Sequence, residues 1–239
     1  MESKIINELE ELASADDAVF LQRFFKTGPG EYGEGDSFLG VRNPQTRTIA
    51  KKYYKDVSNQ QLKLLLASKW HEVRLCALVM MNFSMASKAT EQTRKKQIFD
   101  LYISQITSSI NNWDLVDISA PHVVGEYLIN NKDRTILLKL AEGDLWQKRV
   151  AIISTFAFIR KNDFEYATLL CKKLMYEKHN LMYKAVGWTM REIGKKDKSI
   201  LLNILDKHAS TMPRTALRYS IEKLSQDEKS YYMNMAKYR

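Results

Sequence analysis

Lys69-Trp70-His71-Glu72-Val73-Arg74-Leu75-Cys76-Ala77 reads as the opening of a mostly apolar helix, and openings of the same style recur down the chain. Leu145-Trp146-Gln147-Lys148-Arg149-Val150-Ala151 is a second, Asn180-Leu181-Met182-Tyr183-Lys184-Ala185-Val186-Gly187 a third, and Met212-Pro213-Arg214-Thr215-Ala216-Leu217 a shorter fourth. Each carries Lys or Arg in its first turn, then a small residue and an apolar run. Asn112-Trp113-Asp114-Leu115-Val116-Asp117 repeats the four-residue step from Trp70 to Arg74, but with an acid at the marker position. The markers 74, 117, 149, 184 and 214 are 43, 32, 35 and 30 residues apart, the period of a two-helix repeat. No strand pattern competes. The expected fold is all-α, an α-solenoid of HEAT-like helical repeats forming one domain over residues 1–239. Stacked repeats put equivalent positions in register, which predicts a concave basic groove lined by Arg74, Arg149, Lys184 and Arg214, with Asp117 among them.

Composition agrees with a folded, anion-binding chain. With 239 residues, 45% of them apolar, there is enough to bury a core, and the formal charge of +9 favours a polyanionic partner. The charge is uneven: residues 1–40 hold nine acids and three bases, so the basic excess belongs to the rest. Cys76 and Cys171 lie inside apolar helical patterns and outside any CxxC spacing, which fits buried thiols in a reducing cytosol. A signal peptide and a run of about 18 apolar residues are both missing, so the expectation is a soluble, cytoplasmic protein with no membrane association.

Upstream of the repeats, Ile5, Ile6, Leu9 and Leu12 fit one helical face. Ala15-Asp16-Asp17 can start a second helix that buries Val19, Phe20, Phe24 and Phe25. Thr27 to Asp36 holds four of the nine glycines and must be a loop, either a linker or an ordered element with Tyr32 at its tip. It lacks the Lys-Ser/Thr ending of a phosphate-binding P-loop. Asn43 as N-cap and Pro44 at the first position predict the next helix, which carries Arg47, Lys51 and Lys52. Thr90-Glu91 opens an outer-layer helix burying Ile98, Phe99, Tyr102, Ile103 and Ile106. Ser225-Gln226-Asp227-Glu228 is a capping box opening a final helix through Tyr231, Met235 and Tyr238.

A first-turn Lys or Arg opposes the positive end of the helix dipole, so local helix stability does not explain four of them. A row of phosphates would; the bland alternative is a solvated basic face. Trp70 and Trp146 read as packing residues, whereas Trp113 shares a face with Asp117, and Trp188 with Lys184 or Arg191. Asn111-Asn112 makes an N-cap for the helix carrying Trp113, and Asp114 in its first turn suits the dipole. An aromatic plane beside a carboxylate, inside a cationic groove, suits a substrate that combines phosphates with a cation-forming sugar. The four histidines, His71, His122, His179 and His208, are too far apart in sequence for a ligand motif, so no metal and no cofactor is expected.

The chain resembles the DNA alkylation repair family of HEAT-like-repeat glycosylases, the AlkD type. The matching segments are Gly28 to Asp36, Phe38 to Arg42, Asn112 to Asp117, Leu145 to Ala151 and Gly187 to Glu192, and the Asn-Trp-Asp-Leu-Val-Asp block is the most specific. The resemblance implies removal of N3- and N7-alkylated purines from double-stranded DNA; a monomer is expected. It matches Asp117 to the catalytic aspartate, Trp113 and Trp188 to lesion-flanking tryptophans, and Arg149 to the active-site arginine. Tyr32 falls at the loop aromatic that approaches the sugar. Arg191, Arg42, Arg74, Lys184 and Arg214 complete the DNA-contacting set. It further implies an open groove without a deep hydrophobic pocket, where the lesion stays largely stacked. Two other readings fit the same residues: a non-catalytic scaffold that binds damaged or branched DNA, and a protein-interaction solenoid.

Overall fold

The computed structural model describes residues 1–131 and 133–235. Its regular structure is helical throughout, with no strand among the described residues. Of the final helix, Tyr238 lies outside the described residues. Two compact units divide the chain, Met1–Tyr127 and Leu128–Arg239.

The first unit contains α1 (Glu2–Glu10), α2 (Ala15–Phe24), α3 (Asn43–Tyr53), α4 (Asn59–Leu66), α5 (His71–Ala86), α6 (Gln92–Gln105) and α7 (Trp113–Ala120), the last continued by a wider π turn over Pro121–Gly125. Its centre is α5, which packs against α1, α3, α4, α6 and α7. The apolar run seen in the sequence explains this: nearly every side chain of α5 is buried, so it needs partners on all sides. Of the α6 positions expected inside, Ile98 and Tyr102 are buried, Ile106 just beyond its end is too, and Phe99 and Ile103 are half-buried.

The second unit contains α9 (Thr135–Leu140), α10 (Leu145–Ser154), α11 (Phe156–Arg160), α12 (Glu165–Leu174), α13 (Asn180–Lys196), α14 (Lys198–His208), α15 (Arg214–Ser220) and α16 (Gln226–Met235), after the short α8 (Glu126–Leu128). Here α13 is the centre, packed on α10, α11, α12, α14 and α15. Gly187 lets α13 and α15 close up, since a Cβ there would stand 2.5 Å from the Ala216 carbonyl oxygen.

Helix starts follow their local chemistry. Ser14, Ser58, Asn112, Asp144 and Asp197 cap α2, α4, α7, α10 and α14 through side-chain oxygens. Ser225 and Glu228 close the expected reciprocal box, with Ser225 N–H donating to Glu228 Oε2 at 2.9 Å. α3 starts one residue earlier in register than expected, with Arg42 as N-cap and Asn43 already helical. Both cysteines are free and buried, and burial pushes the Cys76 thiol up to about 12.

The recurrence of first-turn cations is real, but its cause is largely internal. Arg74 is only 6% exposed; it pairs with Asp36 and donates through Nη1 to Asn111 Oδ1 at 2.8 Å and Ser109 O at 3.4 Å. Arg149, 4% exposed, donates through Nη1 to Leu181 O at 2.7 Å. Arg214 donates to Met233 O at 2.9 Å. Each arginine thus reaches a backbone carbonyl of the following repeat, tying one helix pair to the next. This corrects the expected row of groove-facing cations: Arg74 and Arg149 are interior residues, because a buried guanidinium needs acceptors and neighbouring carbonyls supply them. Lys184, a flexible ammonium, is half-buried.

Candidate functional site

In the first unit, the glycine-rich loop is an ordered element. Glu31 Oε2 accepts from Gly28 N–H at 3.0 Å and Glu34 Oε2 from Gly30 N–H at 2.9 Å. The loop ends on Asp36, whose buried carboxylate accepts from Asn112 Nδ2 at 3.2 Å, pairs with Arg74 and meets His71 Nδ1 at 2.8 Å. The other ring nitrogen, His71 Nε2, meets Asp114 Oδ2 at 2.8 Å. Burial alone would push the His71 pKa down, but the Asp114 and Asp36 carboxylates raise it to about 9, so the ring is an imidazolium at neutral pH, donating from both nitrogens. Despite its burial, Asp36 is held below the usual carboxylate range by His71, Arg74 and Asn112. One buried charge network therefore joins the loop, α5 and the start of α7.

A second buried carboxylate fixes the segment before α3. Glu72 accepts the backbone N–H groups of Leu39 at 2.9 Å, Gly40 at 2.8 Å and Val41 at 3.2 Å. Gly40 adopts φ +83° where the chain passes tight against Ser14, a place no side chain could occupy.

These networks support a cleft of about 690 Å³ within the first unit, lined among others by Asp17, Phe20, Phe24, Phe25, Arg42, Trp113, Asp114 and Asp117. Asn112 Oδ1 accepts from Trp113 N–H at 2.8 Å, starting α7 so that Trp113 and Asp117 both reach this wall, half-buried. Asp117 also bears on the interior, adding to the burial that pushes the Tyr102 hydroxyl upward. Trp113 lies over the buried Phe25 ring (5.3 Å, 25°) and meets Phe24 edge-on (5.9 Å, 65°). Arg42 stands on the rim, its side chain 76% exposed, with Nε 3.2 Å from Asp17 Oδ2.

One expectation changes here. Helix α2 buries none of its residues: Val19 is 51% exposed, Phe20 64% and Phe24 53%, and only Phe25, just past its end, is inside. Phe20 and Phe24 line the cleft, and among the described residues no helix covers the stripe. The cleft that these residues line mixes aromatic rings with carboxylates. Tyr32 is half-buried in the loop and is not among the lining residues; the aromatic that meets Trp113 is Phe24. The stripe on α2 was visible in the sequence, but its periodicity is the same for a core face and a ligand face.

In the second unit, Trp188 is half-buried on α13, edge-on to Phe156 at 4.7 Å, and its Nε1–H donates to Glu192 Oε1 at 3.0 Å. Glu192 also receives Lys195 Nζ at 2.7 Å, and Arg191 pairs with Glu222. Arg149 links α10 to the first turn of the same helix, close to Lys184. The units differ in charge: residues 1–127 hold 15 bases and 16 acids, while residues 128–239 hold 22 bases and 12 acids. The basic excess is therefore carried by the second unit.

Among the described residues no group of three or more His, Cys, Asp or Glu side chains could hold a metal ion, and no helix is long and apolar enough to cross a membrane. A family model described as DNA alkylation repair enzyme matches residues 5–224, all but the two ends of the chain. The chain belongs to the DNA alkylation repair enzyme family. Among solved structures it is similar to a predicted DNA alkylation repair enzyme from Enterococcus faecalis, with a TM-score of 0.66 at 15% identity over 90% of this chain and 97% of that one. At that identity the likeness speaks for the fold. No curated protein matches. Membership in the DNA alkylation repair family supports a role in repair of alkylated DNA and gives the second unit's basic excess a natural partner in DNA.

Proposed function

We propose that this protein is a DNA glycosylase that hydrolyses the N-glycosidic bond of cationic N3- or N7-alkylated purines in double-stranded DNA. The observation that carries the reading is the position of Asp117, which shares the wall of an aromatic cleft with Trp113.

Alkylation at N3 or N7 already makes the purine a cation, so the base can leave with the glycosidic electron pair and become neutral without a general acid. Positive charge then develops on the deoxyribose. Asp117 stabilises this oxocarbenium-like sugar and orients a water molecule, which adds to the anomeric carbon and gives up a proton to the Asp117 carboxylate. Trp113 packs beside the lesion. Trp188 and Lys184 on α13 engage the DNA strand, and Arg149 acts as a positioning residue, holding the first turn of that helix through Leu181 O. Arg42, exposed on the rim, remains a contact for backbone phosphate, with Arg191, beside Glu222, and Arg214, bonded to Met233 O, as further contacts; Arg74, paired with Asp36, is left out.

The test is release of 7-methylguanine and 3-methyladenine from methylated duplex DNA by the purified chain, with salt-dependent binding measured in parallel. Release supports the reading. Tight binding of the same duplex without release would overturn it and favour a non-catalytic scaffold recognising damaged DNA, a reading to which the charge of the second unit lends weight.

A further inference from the structure

A second cavity of the first unit, of about 520 Å³, is formed by the end of α3, the end of α5 and the start of α6. It shares no lining residue with the cleft. Glu72 lines the cleft and Ser84 this cavity, so roughly 18 Å of α5 lies between the two. The lining carries Lys55 and Arg94 against Glu91, together with the hydroxyls of Ser84 and Thr90 and the ring of Tyr54. That ring is half-buried and backed by Phe83, with centroids 5.4 Å apart.

Polar groups of this lining lack the partners that their burial calls for. The buried hydroxyls of Ser154, Thr189 and Ser220 each donate to a carbonyl of the preceding turn, at 2.6, 2.9 and 2.8 Å. Ser84, only 4% exposed on α5, has no hydrogen-bond partner among the described residues and opens on the cavity. A buried hydroxyl left unpaired is costly, so its partner has to come from the cavity. Arg94 is half-buried and donates from Nη2 to Val57 O at 2.8 Å, but no carboxylate pairs with it among the described residues. Burial pushes its pKa down and no acid raises it back. At the start of α6, Glu91 makes no side-chain cap and the first turn holds no acid, so the positive end of the helix dipole is uncapped as well. Glu91 itself is exposed, and water screens its charge.

We propose that this cavity binds a small phosphate monoester, its phosphate held by Arg94, Lys55 and the Ser84 hydroxyl and its organic part lying against Tyr54. A phosphate supplies each missing partner: negative charge for the two cations and for the start of α6, and acceptor oxygens for the hydroxyl. The volume of about 520 Å³ exceeds what inorganic phosphate fills and falls in the range of sites for small organic ligands, roughly 300–1,000 Å³. The first unit as a whole is close to neutral, with 15 bases and 16 acids over residues 1–127, so it has little hold on a long polyanion. A small anion in one cationic cavity needs no such field. None of these residues belongs to the cleft or to the DNA-contacting set, so the proposal is independent of the glycosylase reading.

The full chain is titrated calorimetrically, in phosphate-free buffer, with adenosine 5′-monophosphate as the probe and adenosine as the control without phosphate. The monophosphate should bind about 10-fold or more tightly than adenosine, and inorganic phosphate should compete with it. Arg94→Gln should weaken the monophosphate by about 10-fold or more. Ser84→Ala should weaken it by about 10-fold and leave the melting temperature unchanged or raised, because the hydroxyl it removes bonds nothing in the free protein. A serine that merely packs would change neither. Lys55→Gln, at an exposed position, should weaken binding by about 3-fold, and with Ser84→Ala it keeps the test decisive if Arg94→Gln does not fold. Equal affinity for adenosine and its monophosphate would overturn the proposal, as would undiminished binding in folded Ser84→Ala and Lys55→Gln variants. Displacement of the monophosphate by unmethylated duplex DNA would also overturn it, since the phosphate contact would then belong to the DNA surface.

Discussion

The two units are built alike and charged differently. Each centres on one long helix ringed by shorter ones, α5 in the first and α13 in the second, and in each an interior arginine reaches a carbonyl of the following repeat. Yet the first unit is close to neutral and encloses an ionic network beneath an acidic, aromatic cleft, while the second carries an excess of ten positive charges. Under the proposed glycosylase function, the difference separates two tasks. Holding a polyanion needs many cations and little precision, whereas stabilising a developing cation needs one carboxylate in a fixed place.

Breaking the buried network of the first unit should have the largest effect. Asp36→Ala removes the acceptor shared by His71, Arg74 and Asn112 and leaves buried cations uncompensated. A loss of about 3–5 kcal/mol is expected from urea unfolding, and an unchanged midpoint would mean that the network is not what supports the cleft.

The same network predicts a pH dependence. The folded-state pKa of His71, about 9, lies above the ordinary 6.5, so its contribution is fully present below pH 6.5 and is lost as pH rises through 9. The span corresponds to about 3 kcal/mol at most, and His71→Gln should flatten the stability profile between pH 7 and 10. A wild-type profile that is already flat would contradict the assigned imidazolium.

Smaller changes probe the second unit. Gly187→Ala forces a methyl group against the Ala216 carbonyl oxygen and should cost about 1–3 kcal/mol by thermal unfolding. Smallest is Lys184→Ala, which should lower the slope of log K against log salt for duplex binding by about 1 and leave the melting temperature unchanged. An unaltered slope would remove Lys184 from the DNA-contacting set.

Much of this fold was legible because helix periodicity and caps are local. Asn112, Asp144 and the Ser225–Glu228 pair do what their neighbours in sequence imply. The recurring Arg was legible too, but its purpose was not: the acceptors of Arg74, Arg149 and Arg214 lie 35, 32 and 19 residues onward, beyond the reach of any local rule. Asp36, His71 and Asp114 are equally scattered, so Asp114 reads locally as a dipole partner and its histidine is invisible to any local rule. For α2, periodicity identified the apolar face and could not tell whether anything covers it.

Asp114 and Asp117 stand three residues apart on α7, the one bound to His71 and the other on the cleft wall beside Trp113. The decisive measurement is single-turnover release of 7-methylguanine from methylated duplex by wild type, Asp117→Asn and Asp114→Asn, each paired with a thermal melt. Asp117→Asn should slow release by about 10²–10³-fold with little change in melting temperature, and Asp114→Asn should lower the melting temperature by loosening His71. Release at the wild-type rate by a folded Asp117→Asn variant would contradict the account.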